Sequence, residues 1–398
     1  MQKLYSIYLS ALRAFVQGTV PEKPDAAQLQ VLLELAKIHS TQGIVSYVYM
    51  SHPELVPPEM QKLLRKQCLA QIALYTKRAE QVKLLAAELD KTGIDGIFFK
   101  GFVVREYYPV AELRTFGDVD ILIRKEDREK SDRLMHDLGY EPHENWEPSY
   151  SYLKGSEYYE LHSRVIGFNV SDKADYVDYF SHIWEHTQPS EIIKLPHAME
   201  LTPEYHFLYL LAHIAKHISG SGAGARMYLD IAFFIRHAGI GMDWNWIAEE
   251  LQKLNLADFA NVALTAVERW FGVKSPLTLR AVPEDVIDDF LEFTLSGGVY
   301  GYAGRDKSIV FLKQQNRNDA KISKFKTLMF HAFPPARSLK NRYPYLQKHP
   351  WLLPAAWINR LADSRKEWGR FAANTKGILT ANEDDAKKLK KIYKEIGL

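Results

Sequence analysis

The spacing of apolar positions divides the 398-residue chain into three stretches. From residue 1 to about 90 the period is helical. Leu29, Leu32, Leu33, Leu35 and Ala36 follow helical spacing, and a second amphipathic stretch runs from Glu59 to Leu89. Pro21, Pro24, Pro53, Pro57 and Pro58 punctuate this part into separate helices. From about 91 to 200 short apolar runs alternate with helical segments. The pattern predicts a strand at Ile94–Phe99, a helix at Gly101–Tyr108 and a strand at Asp118–Arg124. A charged amphipathic helix at Glu126–Leu138, closed by Gly139, precedes a third strand at Tyr158–Val165. Strand-helix-strand-helix-strand indicates a small α/β sheet. After about Thr202 the pattern turns helical again, over Glu204–Ser219, Arg226–His237, Trp244–Leu254 and Leu256–Phe271. A flexible break is expected at Gly220–Gly224, and a proline- and aromatic-rich region begins at Phe333-Pro334-Pro335 and Arg342-Tyr343-Pro344. A last helix, Glu383–Ile396, carries lysines that read as a solvated face. The expected organisation is α+β: a helical region at 1–90, an α/β domain at 91–200 and a helical domain at 201–398.

Composition narrows the class. Lysine plus arginine total 51 against 49 acidic residues, a balance that disfavours a nucleic-acid binder while leaving room for a local basic groove. With Cys68 the only cysteine, no disulfide and no cysteine-rich zinc site can form within the chain. Met1-Gln2-Lys3-Leu4-Tyr5-Ser6 lacks the apolar core of a secretory signal, and no run approaches the ~18 apolar residues of a membrane span. The expectation is a soluble cytoplasmic protein with no membrane partner.

The candidate chemistry lies in Gly117-Asp118-Val119-Asp120-Ile121-Leu122-Ile123. A strand places residues i and i+2 on one face, so Asp118 and Asp120 can share divalent cations while Val119, Ile121 and Ile123 are buried on the other. A lone Asp-x-Asp is common at strand starts, and three neighbours strengthen it. Lys100-Gly101 falls at a strand-to-helix junction, where glycine lets a phosphate approach free N–H groups and the lysine adds positive charge. A tight turn with a solvated lysine is the competing reading. Glu160, on the strand face of Tyr158, His162 and Arg164, would complete a carboxylate triad; by itself it is an ordinary surface residue. Arg114 can orient a carboxylate or neutralise a phosphate, or simply hold the loop in a salt bridge.

These residues resemble the DNA polymerase β-like nucleotidyltransferase superfamily, and within it a bacterial family of uncharacterised nucleotidyltransferases. The resemblance rests on Phe99-Lys100-Gly101, Tyr108-Pro109, Arg114, the Gly117–Ile123 block and Glu160-Leu161-His162. It continues into Leu211–Asp230, with Gly224, Arg226 and Asp230, and covers about residues 25 to 350. It implies a small polymerase β-like sheet domain flanked by helical regions. It also implies transfer of a nucleoside monophosphate from a triphosphate such as ATP to an acceptor hydroxyl. On that pattern Asp118, Asp120 and Glu160 are the catalytic metal ligands for Mg²⁺ or Mn²⁺, and Lys100, Gly101, Arg114 and Gly117 lie at the nucleotide. The acceptor, whether small molecule, sugar derivative or protein, stays open. Most of the superfamily has Gly-Ser or Gly-Gly where this chain has Lys100-Gly101, so the serine that often meets a terminal phosphate is missing.

His206, His213 and His217 share a helical face. His213-x-x-x-His217 has zinc-ligand spacing, but residue 214 is isoleucine and the general-base glutamate of a zinc hydrolase is absent. Packing, or lining of the cleft together with His162, accounts better for these histidines. Arg226 and Asp230, at i and i+4, most simply form an intrahelical ion pair, or Arg226 faces the ligand. Two other functions compete: a catalytically silent nucleotide-sensing module, and a toxin-like transferase acting on RNA or protein. Retention of all three carboxylates counts against the silent module.

Overall fold

Asp25 opens the first well-capped helix of the chain, its carboxylate accepting from the Gln28 N–H while its own N–H donates to the Gln28 side-chain oxygen. This is one of several helices, α1 (Gln2–Gln17), α2 (Ala26–Ile38), α3 (Gln42–Met50) and the long α4 (Pro58–Lys91), that make up the N-terminal part. The computed structural model describes residues 2–167, 174–220, 222–298, 323–339, 343, 345–363, 368–380 and 382–398. Of the expected glycine break and the Arg342-Tyr343-Pro344 segment, Ser221, Arg342 and Pro344 lie outside the described residues.

After α4 come β1 (Gly96–Phe98), the single-turn α5 (Gly101–Val104), β2 (Val119–Ile123) and α6 (Arg128–Asp137). The hairpin β3 (Glu141–Trp146) and β4 (Ser149–Lys154) leads into β5 (Glu157–His162). The short α7 (Tyr176–Tyr179), β6 (Thr187–Pro189) and β7 (Ala198–Leu201) complete the mixed part. The seven strands form one sheet in the order β3-β4-β5-β2-β1-β7-β6. β2 sits near the middle, antiparallel to β1 and parallel to β5. Sequence periodicity therefore finds the three central elements. It misses β3, where Glu141, His143, Glu144 and Asn145 break any apolar alternation, its partner β4, and β6 and β7, which are too short to show a period. The helix after Lys100 also runs shorter than expected, giving way to a 3₁₀ turn at Arg105–Tyr107.

Alternation within the strands separates two cores. Phe98, Val119, Ile121 and Ile123 face α4 and α6, among Tyr75, Val82, Leu85, Leu89 and Met135. Ile97, Phe99 and Leu122 face the other way, into a larger core shared with α1–α3 and with α8 (Pro203–Gly220), α9 (Ala225–Ala238), α10 (Trp244–Lys253), α11 (Ala257–Phe271) and α12 (Glu284–Gly297). The expected helices at 204–219, 226–237, 244–254 and 256–271 are thus present within a residue or so. Gly139 and Gly272 end their helices at positive φ (80° and 71°), where a side chain would be strained.

One face of α4 is stitched to later parts of the chain. Gln71 donates to the carbonyls of Glu112 (3.2 Å) and Leu113 (2.9 Å), Arg78 to that of Phe116 (2.7 Å), and Gln81 to the Glu157 carboxylate (2.6 Å). The loop leading to β2 and the start of β5 are thereby fixed to a single helix. Helices at 324–332, 353–363, 368–380 and 383–395 form the C-terminal part. No helix among the described residues is long and apolar enough to cross a membrane.

Candidate active site

The parallel register of β2 and β5 sets Asp120 opposite Glu160 and Leu122 opposite His162. Glu160 and His162, two apart, share a strand face with Asp120. Asp120 is 4% exposed in an otherwise apolar strand, a placement tolerated only because its charge is met. Its Oδ1 accepts from Lys100 Nζ (2.6 Å) and from His162 Nε2 (2.8 Å). His162 Nε2 also lies 3.3 Å from Glu160 Oε2. Glu160 accepts in addition from Ser149 Oγ and Tyr158 OH, each at 3.3 Å. Asp118 stands just before the strand proper, exposed, and lines the same cleft as Asp120.

Charge sets the acid–base state of these groups. Burial opposes ionisation of Asp120, but Lys100 and His162 outweigh it and hold the carboxyl well below its ordinary value. Asp118 is pushed up, first by the Asp120 charge. Burial works against protonated His162, and its bonds to Asp120 and Glu160 raise it overall. Ligand atoms of Asp120, Glu160 and His162 lie within 4.8 Å of one another. Two carboxylates and an imidazole, with a third carboxylate at the mouth whose pKa rises because its neighbours are negative, form a donor set suited to a hard divalent cation.

Lys100 occupies the turn between β1 and α5 with φ 55° and ψ −130°, a conformation unusual for a non-glycine residue. Its N–H donates to Nε2 of His206 (3.1 Å), which burial pulls down to about 3, leaving a neutral acceptor. The sequence marks His206 only by its helical phase with His213 and His217, and gives no sign that it accepts the Lys100 N–H. Beside it, Gly101 is dictated by close approach. A Cβ there would lie 2.2 Å from Arg114 Nη1.

Arg114 is locked rather than free. Its Nε and Nη2 donate to Asp230 (3.1 and 2.6 Å), which also accepts from the Tyr108 hydroxyl (2.7 Å). Asp230 thus receives the distant Arg114 across 116 positions of sequence, while Arg226 Nη1 donates to the backbone and hydroxyl oxygens of Thr115 (2.7 and 3.0 Å). Gly117 is exposed on the loop, with no atom within 4 Å of where its Cβ would be. On the facing wall, His213 and His217 set their Nε2 atoms 3.1 Å apart. Burial first, then the charges of Lys216, Lys100 and Arg226, pull His217 down to about 4. Both histidines, Arg226 and Asp230 line the cleft that holds Lys100, Gly101, Arg114, Asp118 and Asp120.

A central acidic strand pair and a strand-to-helix turn thus face, across one cleft, a wall of two neutral imidazoles and Arg226. The chain belongs to the uncharacterised nucleotidyltransferase family, whose model matches residues 25–272. No curated protein matches it. Among solved structures it is similar to the antibiotic-resistance factor ANT(2'')-Ia, at 12% identity and a TM-score of 0.34, over 49% of this chain and 97% of that one. That likeness is too distant to bear on activity.

Proposed function

We propose that this protein moves a nucleoside monophosphate from a nucleoside triphosphate to an acceptor hydroxyl, in a reaction that needs Mg²⁺ or Mn²⁺. The observation that carries the reading is the convergence of Asp120, Glu160 and His162, with Asp118 and Asp120 lining a cleft that His213, His217 and Arg226 also line. Asp118, Asp120 and Glu160 are the residues that would hold the cation. Bound there, it would supply charge neutralisation at the phosphates and a lowered pKa for the acceptor hydroxyl. The acceptor hydroxyl gives its proton to water as its oxygen bonds the α-phosphorus in line with the departing group, the bond to the bridging oxygen breaks, and pyrophosphate leaves. Lys100 and Arg226 present positive charge to the phosphates, and Gly101 keeps the backbone open to them. His162 bonds both Asp120 and Glu160 and so fixes their mutual orientation. Arg114 serves by holding the turn floor against Asp230. ATP is the first donor to test, with a small molecule, a sugar derivative or a protein as acceptor, in a soluble cytoplasmic setting.

The test incubates the protein with each α-labelled triphosphate, Mg²⁺ or Mn²⁺, and a metabolite extract. Labelled product should form with the native chain and vanish in Asp118→Asn and Asp120→Asn. Product that persists in both variants refutes the reading. Self-labelling would identify a protein side chain as acceptor.

A further inference from the structure

Asp120 already has a cation. The Lys100 ammonium sits 2.6 Å from its Oδ1, and His162 takes the same oxygen at 2.8 Å. Lys100 and Asp120 are both largely shielded from water, with side chains 17% and 5% exposed. The chain accepts a cost to place the ammonium there, since Lys100 adopts a positive φ of 55° that only its surroundings can maintain. His206, buried in the helix behind, holds that backbone through the Lys100 N–H. The Tyr209 hydroxyl, buried on the next turn of the same helix, has no well-formed hydrogen bond among the described residues. It lies near enough to Lys100 to feel the ammonium's charge, and so can share more of it when Asp120 is taken.

We infer that Lys100 is a built-in counter-ion that competes with the divalent cation for Asp120 and is drawn off it by a triphosphate. The ammonium then exchanges a carboxylate partner for a phosphate oxygen, another strong charge-assisted acceptor. The free protein is self-neutralised at Asp120 and binds a bare divalent cation weakly, and cation and nucleotide enter as one complex. Lys100 is on this account a positioning residue that sets the order of binding. The inference rests on the cation-binding reading of the site, but it does not require that transfer occur.

The test is a Mn²⁺ titration of the full chain monitored by electron paramagnetic resonance, without and with a non-hydrolysable ATP analogue. Without nucleotide, Lys100→Met and Lys100→Gln should each bind Mn²⁺ at least ~10-fold more tightly than the native chain, because a full positive charge has left the carboxylate. The analogue should tighten Mn²⁺ binding in the native chain and do so far less in either variant. Asp120→Asn should lose Mn²⁺ under both conditions. Equal or weaker Mn²⁺ affinity in both Lys100 variants overturns the inference, and leaves the cation reading standing if native binding still depends on Asp120. Failure of every chain to bind Mn²⁺, even with the analogue, overturns both. Should the variants fail to fold, acetylation of Lys100 in the native chain is measured by mass spectrometry. Its rate should change when Mn²⁺ and the analogue are added together, and not with Mn²⁺ alone; no change with either overturns the inference.

Discussion

Replacing Asp230 with alanine strips the Arg114 guanidinium of two hydrogen bonds and its counter-charge, at a site where Arg114 and Asp230 are 6% and 4% exposed. Breaking a buried pair from one side costs about 3–5 kcal/mol, because the remaining charge is left in a poorly solvating interior. The Tyr108 hydroxyl loses its acceptor as well, which adds about 1 kcal/mol or more. Asp230→Ala should therefore lower unfolding stability by at least about 4 kcal/mol. Removing both charges, as in Arg114→Met with Asp230→Leu, relieves the stranded cation and should cost clearly less than the sum of the single changes, by about 2 kcal/mol or more. Urea unfolding monitored by circular dichroism and tryptophan fluorescence measures both quantities. A single-variant loss below about 1 kcal/mol, or additive behaviour in the double variant, would refute the assignment of Arg114 to a buried structural pair.

The remaining expectations come from the same geometry. Gly101→Ala puts a methyl 2.2 Å from Arg114 Nη1, so the guanidinium must move; a loss of about 1–3 kcal/mol and weaker triphosphate binding are expected, readable by denaturation and calorimetry. His39 and His206 are buried and pulled down to about 4 and about 3 by burial, so both stay neutral in the folded chain and gain a proton mainly on unfolding below about pH 6.5. Stability should fall as pH drops from about 6.5 toward 4, by up to ~1.4 kcal/mol per pH unit for each group. Unfolding curves in His206→Gln should show a shallower acid slope; an unchanged slope sinks the assignment. His162 runs the other way, since its pKa is raised in the folded chain. Its contribution is complete below its unfolded value of about 6.5 and fades as pH rises through the folded one, and His162→Gln should remove that alkaline loss.

How far the sequence reaches depends on the range of the interaction involved. The strand alternation of Val119, Ile121 and Ile123 is local and was legible, as was the helix stop at Gly139. The carboxylates Asp118, Asp120 and Glu160 were legible because their chemistry and spacing are unusual within an apolar context. Partnerships were not. Asp230 lies four residues from Arg226, the partner that helical spacing suggests, yet its oxygens receive Arg114 from another element. Only tertiary packing decides between a near and a distant cation of similar charge. His206 escaped for a similar reason, since an imidazole on a buried helix face looks the same whether it fills space or accepts a backbone N–H. β3 escaped because an edge strand of polar residues carries no apolar period to read.

α4 works as a ruler. At about 1.5 Å per residue its 34 residues span roughly 50 Å. The positions that grip later segments, Gln71, Arg78 and Gln81, depend on rotational phase as well as on distance. A substitution on its solvent face disturbs neither. Inserting or deleting one residue between Leu64 and Gln71 would turn everything beyond it by about 100°, so the grips could no longer meet the carbonyls before Asp118 while the first part of the helix keeps its seat. This helix should tolerate wide variation in sequence and almost none in length. A library of single-residue insertions along it, scored for soluble expression beside a matched substitution library, would reveal that asymmetry.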